Sequence, residues 1–250
     1  MLEIVIIGSG NVAQHLIKAF SKSTSIKVVQ VFARNKEAIS NLIDSDNITS
    51  DYTDLKDVPL YIIAVSDNAV AEVSSKIPFK NKIVLHTSGS MAITDLDAKN
   101  TRGSLYPVQT FSKTKEVDFK KIPICLEIED ETNYKMIEAI ALSISDIVFK
   151  ITSKQRKSLH VAAVFVNNFV NHLYQIGNEI CEENDVSFEI LKPLILETAN
   201  KILHLSPKEA QTGPAKRKDT NTINAHLQSL TDENKATIYK ILTKSIIDNG

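Results

Sequence analysis

The sequence predicts an α/β protein, a doubly wound parallel sheet followed by a smaller all-α domain. Three observations predict it. Short β-branched runs alternate with amphipathic helical stretches through the first 150 residues, the mark of strands joined by crossover helices. The strands read as uninterrupted apolar runs, as they do when both faces of a parallel sheet are covered. Strand signals stop after Thr152, and the remainder reads as helices. The boundary is therefore placed near residue 152, with domains at 1–152 and 153–250.

Taken in order, residues 4–7 (I-V-I-I) form the first strand and run into Gly8-Ser9-Gly10-Asn11-Val12-Ala13, after which a helix carries Leu16, Ile17 and Phe20. Strands are expected at 26–32, 60–65, 82–85, 122–128 and 147–151, with Gly103 to Tyr106 leading into Pro107-Val108-Gln109-Thr110-Phe111. Helices are expected near 36–43, at 69–76 and at 132–143, then at 153–183, 187–204, 220–228 and 231–247. The chain has 250 residues, 43% hydrophobic and 24% charged, with 29 basic and 30 acidic side chains and a net charge of −1. That balance gives no general attraction to nucleic acid or to an anionic membrane. Cys125 and Cys181 lie far apart, in no metal-ligand spacing, and are read as buried reduced thiols. The first apolar run is too short for a secretory core or a membrane span, so a cytoplasmic protein is expected.

Gly8, Gly10 and Ala13 form G-x-G-x-x-A between a strand and a helix, the context that gives this motif its meaning. The first glycine permits a tight turn, the second lets the backbone approach a pyrophosphate, and the alanine lets the helix pack closely on the sheet. The pyrophosphate then sits on free N–H groups at the helix N-terminus, around Asn11. This predicts a Rossmann-type dinucleotide site. Where an NAD site usually has an acidic residue, about 20 residues beyond the glycines, the chain has Ala33-Arg34-Asn35. A guanidinium can bind a 2′-phosphate, which makes NADP the expected cofactor and NAD the weaker one; Arg34 as an ordinary exposed arginine is the alternative.

Other strand ends supply Ser66 and Asp67, expected along the cofactor, and His86 and Ser88; these last two, with Tyr106 and Gln109 of the Y-P-V-Q-T-F segment, are expected around a substrate. Asp67 could instead cap the following helix, and His86 could be a satisfied structural histidine. From Ser158 to Asn178 no residue carries a formal charge, yet the stretch holds two histidines, four asparagines and a glutamine. At about 100° per residue, His160, Asn167 and Asn171 share one face, with Asn168 and His172 on its flank. That stripe suits either an enclosed substrate site or a helix buried between subunits. A second polar segment, Gln211 to His226, begins with a Gly-Pro break, continues through Lys216, Arg217 and Lys218, and has Asp219 placed to cap a further helix.

G-S-G-N-V-A, H-T-S-G-S, Y-P-V-Q-T-F, H-V-A-A-V-F-V-N-N-F-V-N-H-L-Y and Q-T-G-P-A-K-R-K-D together resemble a bacterial family of Rossmann-like NADP-binding oxidoreductases with a C-terminal helical domain of unknown function. More distantly the layout is similar to pyrroline-5-carboxylate reductases, prephenate dehydrogenases and β-hydroxyacid dehydrogenases. The resemblance implies an active site in the cleft between the domains and a homodimer formed through the helical one. Asn167 and Asn168 could match the paired asparagines of β-hydroxyacid dehydrogenases, but Ala163 and Val164 stand where those enzymes have a lysine. His160 is then the candidate acid/base group, with Asn167 and Asn171 completing the catalytic set, Asn168 at its side and Arg217 holding an anionic group. The expected activity is hydride transfer to or from a small polar metabolite. A non-catalytic NADP-binding sensor is the alternative, and a flavin or deazaflavin as hydride partner is a third reading.

Overall fold

Strand β1 (Leu2–Ile7) sends Ile4 and Ile6 to one side of the sheet and Val5 and Ile7 to the other, following the two-residue period of a strand. All four are fully buried, because helices cover both faces. The computed structural model describes residues 1–249. Helix α1 (Asn11–Ser21) follows β1 and buries Ala13, Leu16, Ile17 and Phe20. Next come β2 (Ile26–Phe32), the two-residue β3 (Ile48–Thr49), β4 (Leu60–Ile63), α2 (Val70–Lys76), β5 (Ile83–His86) and β6 (Thr101–Pro107). The sheet is completed by β7 (Ile124–Ile128) and β8 (Val148–Lys150), with α3 (Tyr134–Leu142) between them.

Among the described residues these strands form one eight-stranded sheet in the order β3-β2-β1-β4-β5-β6-β7-β8. The neighbouring strands are parallel except β6 and β7, which pair antiparallel. This departs from the all-parallel expectation, since an apolar run carries no record of strand direction. The helix expected near 36–43 is also absent; only a 3₁₀ turn at Glu37–Ile39 forms there. Isolated short helices are marginal in water, and here Ile39 alone is buried.

Register decides which side chains meet. His86 pairs with Ser104, and Ser104 pairs with Glu127, so the three form a row across β5, β6 and β7 on one face. Helix α4 (Ser153–Ala163) drops Arg156 onto this row. Its guanidinium is completely buried. Nη1 donates to Ser104 Oγ at 2.8 Å and to Glu127 Oε2 at 2.5 Å, and Nη2 donates to the Met91 carbonyl at 2.6 Å. Glu127 also accepts from the Ser153 N–H at 2.8 Å, at the start of α4. These bonds tie α4 to the sheet, and the chain divides into compact units at 1–168 and 169–250 although the last strand ends at Lys150.

The single helix expected at 153–183 is interrupted. A π-helical segment, Val164–Phe169, lies between α4 and α5 (Val170–Glu183). Its i→i+5 bonding takes more residues per turn than an α-helix. The stripe drawn on uniform α periodicity therefore does not carry through Val164–Phe169.

The second unit continues with α6 (Lys192–Lys201), the short α7 (Pro207–Ala210) and α8 (Pro214–Arg217), then α9 (Thr220–Ser229) and α10 (Glu233–Asn249). Asp219 caps α9 as expected, accepting from the Thr222 N–H at 3.1 Å. Lys235 of α10 is nearly buried and bridges Glu179 and Glu183 of α5 at 3.2 and 2.6 Å. His226 Nδ1 and Tyr239 Oη, 2.8 Å apart, join α9 to α10. No helix among the described residues is long and apolar enough to cross a membrane.

Candidate active site

The turn from β1 into α1 opens a cleft of about 620 Å³ at the carboxyl ends of β1, β2 and β4. Gly8 has a φ of +139°, and a Cβ there would lie 2.1 Å from the Ala64 carbonyl oxygen, so no other residue fits. A Cβ on Gly10 would meet nothing within 4 Å; it would project into open space. No side chain caps the N-terminus of α1. A cradle of this kind, backbone-lined and closed by a helix N-terminus, fits a pyrophosphate. Ala13 is fully buried beneath Gly8 in the layer between α1 and the sheet.

Of the residues expected at the cofactor, Gly8, Gly10, Asn11, Arg34 and Ser66 line this cleft. The Asn11 side chain turns away to donate to the Phe111 carbonyl at 2.8 Å. Asp67 caps nothing: Ser66 occupies the N-cap position of the turn, and the Asp67 carboxylate accepts a hydrogen bond from Ser90 Oγ. Ser50, Tyr52, Glu72 and Lys76 also line the cleft and were not foreseen. They come from the turn after β3 and from α2, and nothing in their local sequence distinguishes them.

A second cluster forms where β5 and β6 end. Tyr106 Oη lies 3.2 Å from His160 Nδ1, with the two rings edge to face. Both rings pack on Gly89, where a Cβ would come within 2.6 Å of His160 Nδ1 and 2.9 Å of Tyr106 Cζ. Gly89 is thus needed for close approach; it stands in the H-T-S-G-S motif, which was read for its polar residues only. Burial pushes the Tyr106 hydroxyl above its ordinary range, so it stays protonated near neutral pH. The simplest assignment has Tyr106 donating to Nδ1, leaving the ring proton on Nε2 of His160. Arg156, one helical turn before His160, holds this part of α4 in place.

The other expected substrate residues divide. His86 is fully buried, and its Nδ1 accepts from the Ser88 N–H at 3.1 Å. Ser88 is also buried, and its Oγ accepts from the N–H groups of Ser90 and Met91 at 3.1 Å each. Both residues therefore shape the turn that carries Gly89. Gln109 is exposed and accepts from the Thr110 N–H at 2.8 Å. Asn167 and Asn168 are exposed on the π segment, whereas Asn171 and Arg217 are exposed on the second unit.

Residues 122–246 match a family described as a domain of unknown function, DUF2520, and residues 3–89 match the model of coenzyme F420-dependent NADP oxidoreductases. A Bacteroides fragilis protein described provisionally as an NADP oxidoreductase is 38% identical, with a TM-score of 0.89 over 99% of this chain and 98% of its own. The chain belongs to the DUF2520 family, with an NADP oxidoreductase-type N-terminal domain. The family resemblance read from the motifs is thereby borne out. The fold of this DUF2520 protein extends further. Pyrroline carboxylate reductase of Plasmodium falciparum, solved with NADP bound, is 14% identical with a TM-score of 0.62, covering 98% of each chain. Prephenate dehydrogenase of A. aeolicus is 14% identical with a TM-score of 0.53, over 100% of this chain and 85% of that one. No curated protein matches the chain.

His86 gives a pH signature. Burial, reinforced by the nearby Arg156 charge, lowers its pKa from 6.5 to about 4. Because the folded value lies below the unfolded one, folding favours neutral His86. Its contribution is fully present above pH 6.5 and is lost as pH falls towards 4. Urea unfolding between pH 7 and 4 should show stability falling with acid, with a shallower slope in His86→Gln; identical slopes would refute the assignment.

Proposed function

We propose that this protein is an NADP-dependent oxidoreductase acting on a small polar metabolite, with Tyr106 and His160 as its proton-handling pair. The observation that carries the reading is one cleft lined both by the Gly8–Gly10 cradle and by Arg34. Gly8, Gly10 and the first turn of α1 would hold the pyrophosphate, and Arg34 would take the 2′-phosphate in charge-assisted hydrogen bonds. Bound NADP(H) supplies or accepts the hydride. The chain's own task is then to position the substrate and exchange a proton with it.

His160 suits that task because an imidazole can both give and take a proton. Tyr106 orients the ring through Nδ1, which leaves Nε2 for the substrate. Asn167, Asn168, Asn171, Gln109 and Arg217 remain candidates for orienting the substrate. The family description of residues 3–89 favours a second reading of the hydride partner, a deazaflavin of the F420 type in place of a metabolite.

Calorimetric titration should show tighter binding of NADPH than NADH, reversed or abolished in Arg34→Asp. An unchanged preference in the mutant would remove Arg34 from the site. A screen for NADPH oxidation against 2-oxo acids, imines, aldehydes and a deazaflavin tests the chemistry. Whatever activity is found should drop by about 10²-fold or more in His160→Ala, with NADPH affinity kept. NADPH binding without turnover on any of these would favour a sensor.

A homodimer is part of the same proposal. Across 169–249 the buried apolar side chains are Cys181, Ala215 and Ile223, whereas Ile190, Leu194, Leu196, Leu203 and Ile241 are each more than 60% exposed. So much apolar surface marks an interaction site, and a second copy of the chain is the simplest cover. Light scattering should report about twice the 27.7 kDa chain mass; a monomer at micromolar concentration would refute this.

A further inference from the structure

One rim of the cleft concentrates charge. Arg34 is exposed just beyond the end of β2, and Tyr52 stacks on Phe32 with ring centroids 4.2 Å apart. Lys76, in the last turn of α2, holds its ammonium 5.7 Å from the centre of the Tyr52 ring. Glu72, one turn earlier, places Oε1 2.5 Å from Lys76 Nζ. Arg34, Tyr52, Glu72 and Lys76 all line the same cleft. The hydrogen bond between them holds the Glu72 carboxyl below its ordinary range and the Lys76 ammonium above, and Arg34 is near enough to act on both. Two cations and one carboxylate thus share this rim.

We infer that Lys76 is a second cation for the 2′-phosphate of NADP, and that Glu72 is its resident counter-ion, displaced when the phosphate arrives. This rests on the reading of the cleft as an NADP site. Two like charges on one rim repel in the absence of an anion, and Glu72 relieves that repulsion. The Glu72–Lys76 pair is open to water, with side chains 67% and 48% exposed. Exposed i, i+4 pairs are weak and easily exchanged. A phosphate monoester carries a charge of about −1.5 to −2 with three acceptor oxygens, a stronger partner for Lys76 than a single carboxylate. NAD brings no such group, so with NAD the lysine stays neutralised by Glu72. The Tyr52 ring beneath the ammonium limits where Lys76 can go. Glu72 and Lys76 together then set how sharply the cleft distinguishes the two cofactors, in addition to Arg34.

Titration calorimetry of the full chain with NADP⁺, NAD⁺ and adenosine 2′-monophosphate tests this. Lys76→Met should weaken NADP⁺ and adenosine 2′-monophosphate about tenfold while leaving NAD⁺ within about twofold, the loss expected for one charge-assisted contact. Glu72→Gln should strengthen NADP⁺ about two- to fivefold with NAD⁺ unchanged, as removal of a weak competing ion pair would. Melting temperatures of both variants should match wild type, because neither side chain is buried. If Arg34→Asp erases the NADP⁺ preference while Lys76→Met and Glu72→Gln keep it intact, the inference fails and the NADP reading stands. If wild type itself shows no preference for NADP⁺, the underlying reading fails.

Discussion

The Arg156 guanidinium joins two strands and the loop after β5 to one helix. It donates to Ser104 of β6, to Glu127 of β7 and to the Met91 carbonyl in the loop after β5, while Glu127 also accepts from the first turn of α4. Burying such a pair costs desolvation, and removing one partner would strand a buried charge. The contact depends on register, because a slip of one residue in β6 or β7 would turn Ser104 or Glu127 to the opposite face. With Arg156 fixed, His160 follows one turn later on the same helix face. That is how a histidine from α4 comes to lie against Tyr106 and the bare backbone of Gly89.

The first unit therefore carries two polar constellations of different character. The cleft at Gly8 and Gly10 is built from backbone, and its charged groups are confined to one exposed rim. It is suited to a ligand whose phosphates are met by N–H groups and mobile cations. The Tyr106–His160 pair is built from side chains held by close packing. Burial keeps Tyr106 protonated and, reinforced by the Arg156 charge, keeps His86 neutral. Both constellations stand at or just beyond strand ends, where open α/β sheets bind their ligands.

Much of this was legible in the sequence where the chemistry is local. Gly8, Gly10 and Ala13 act through the chain immediately around them, and their strand–turn–helix setting is written in the same dozen residues. Arg34 was legible because its place after β2 is fixed by distance along the chain. Tyr52, Glu72 and Lys76 were not, since they reach the cleft from the turn after β3 and from α2 and look like ordinary surface residues in their own segments. The antiparallel β6–β7 pair was missed because apolar runs specify burial without direction. The π segment was missed because the pattern of Val164–Phe169 is equally compatible with an α-helix.

The sequence by itself determined the α/β class, the glycine turn, the arginine after β2 and an uncharged polar stretch in the helical segments just beyond the sheet. Only the tertiary structure decided which of those polar groups act together. His160 and Tyr106 are 54 residues apart, and Arg156 and Ser104 are 52 apart. Their meeting follows from strand register and from a glycine small enough to let two rings approach. A residue's local tendency is encoded beside it, but its partner is selected by packing between segments that the sequence keeps apart.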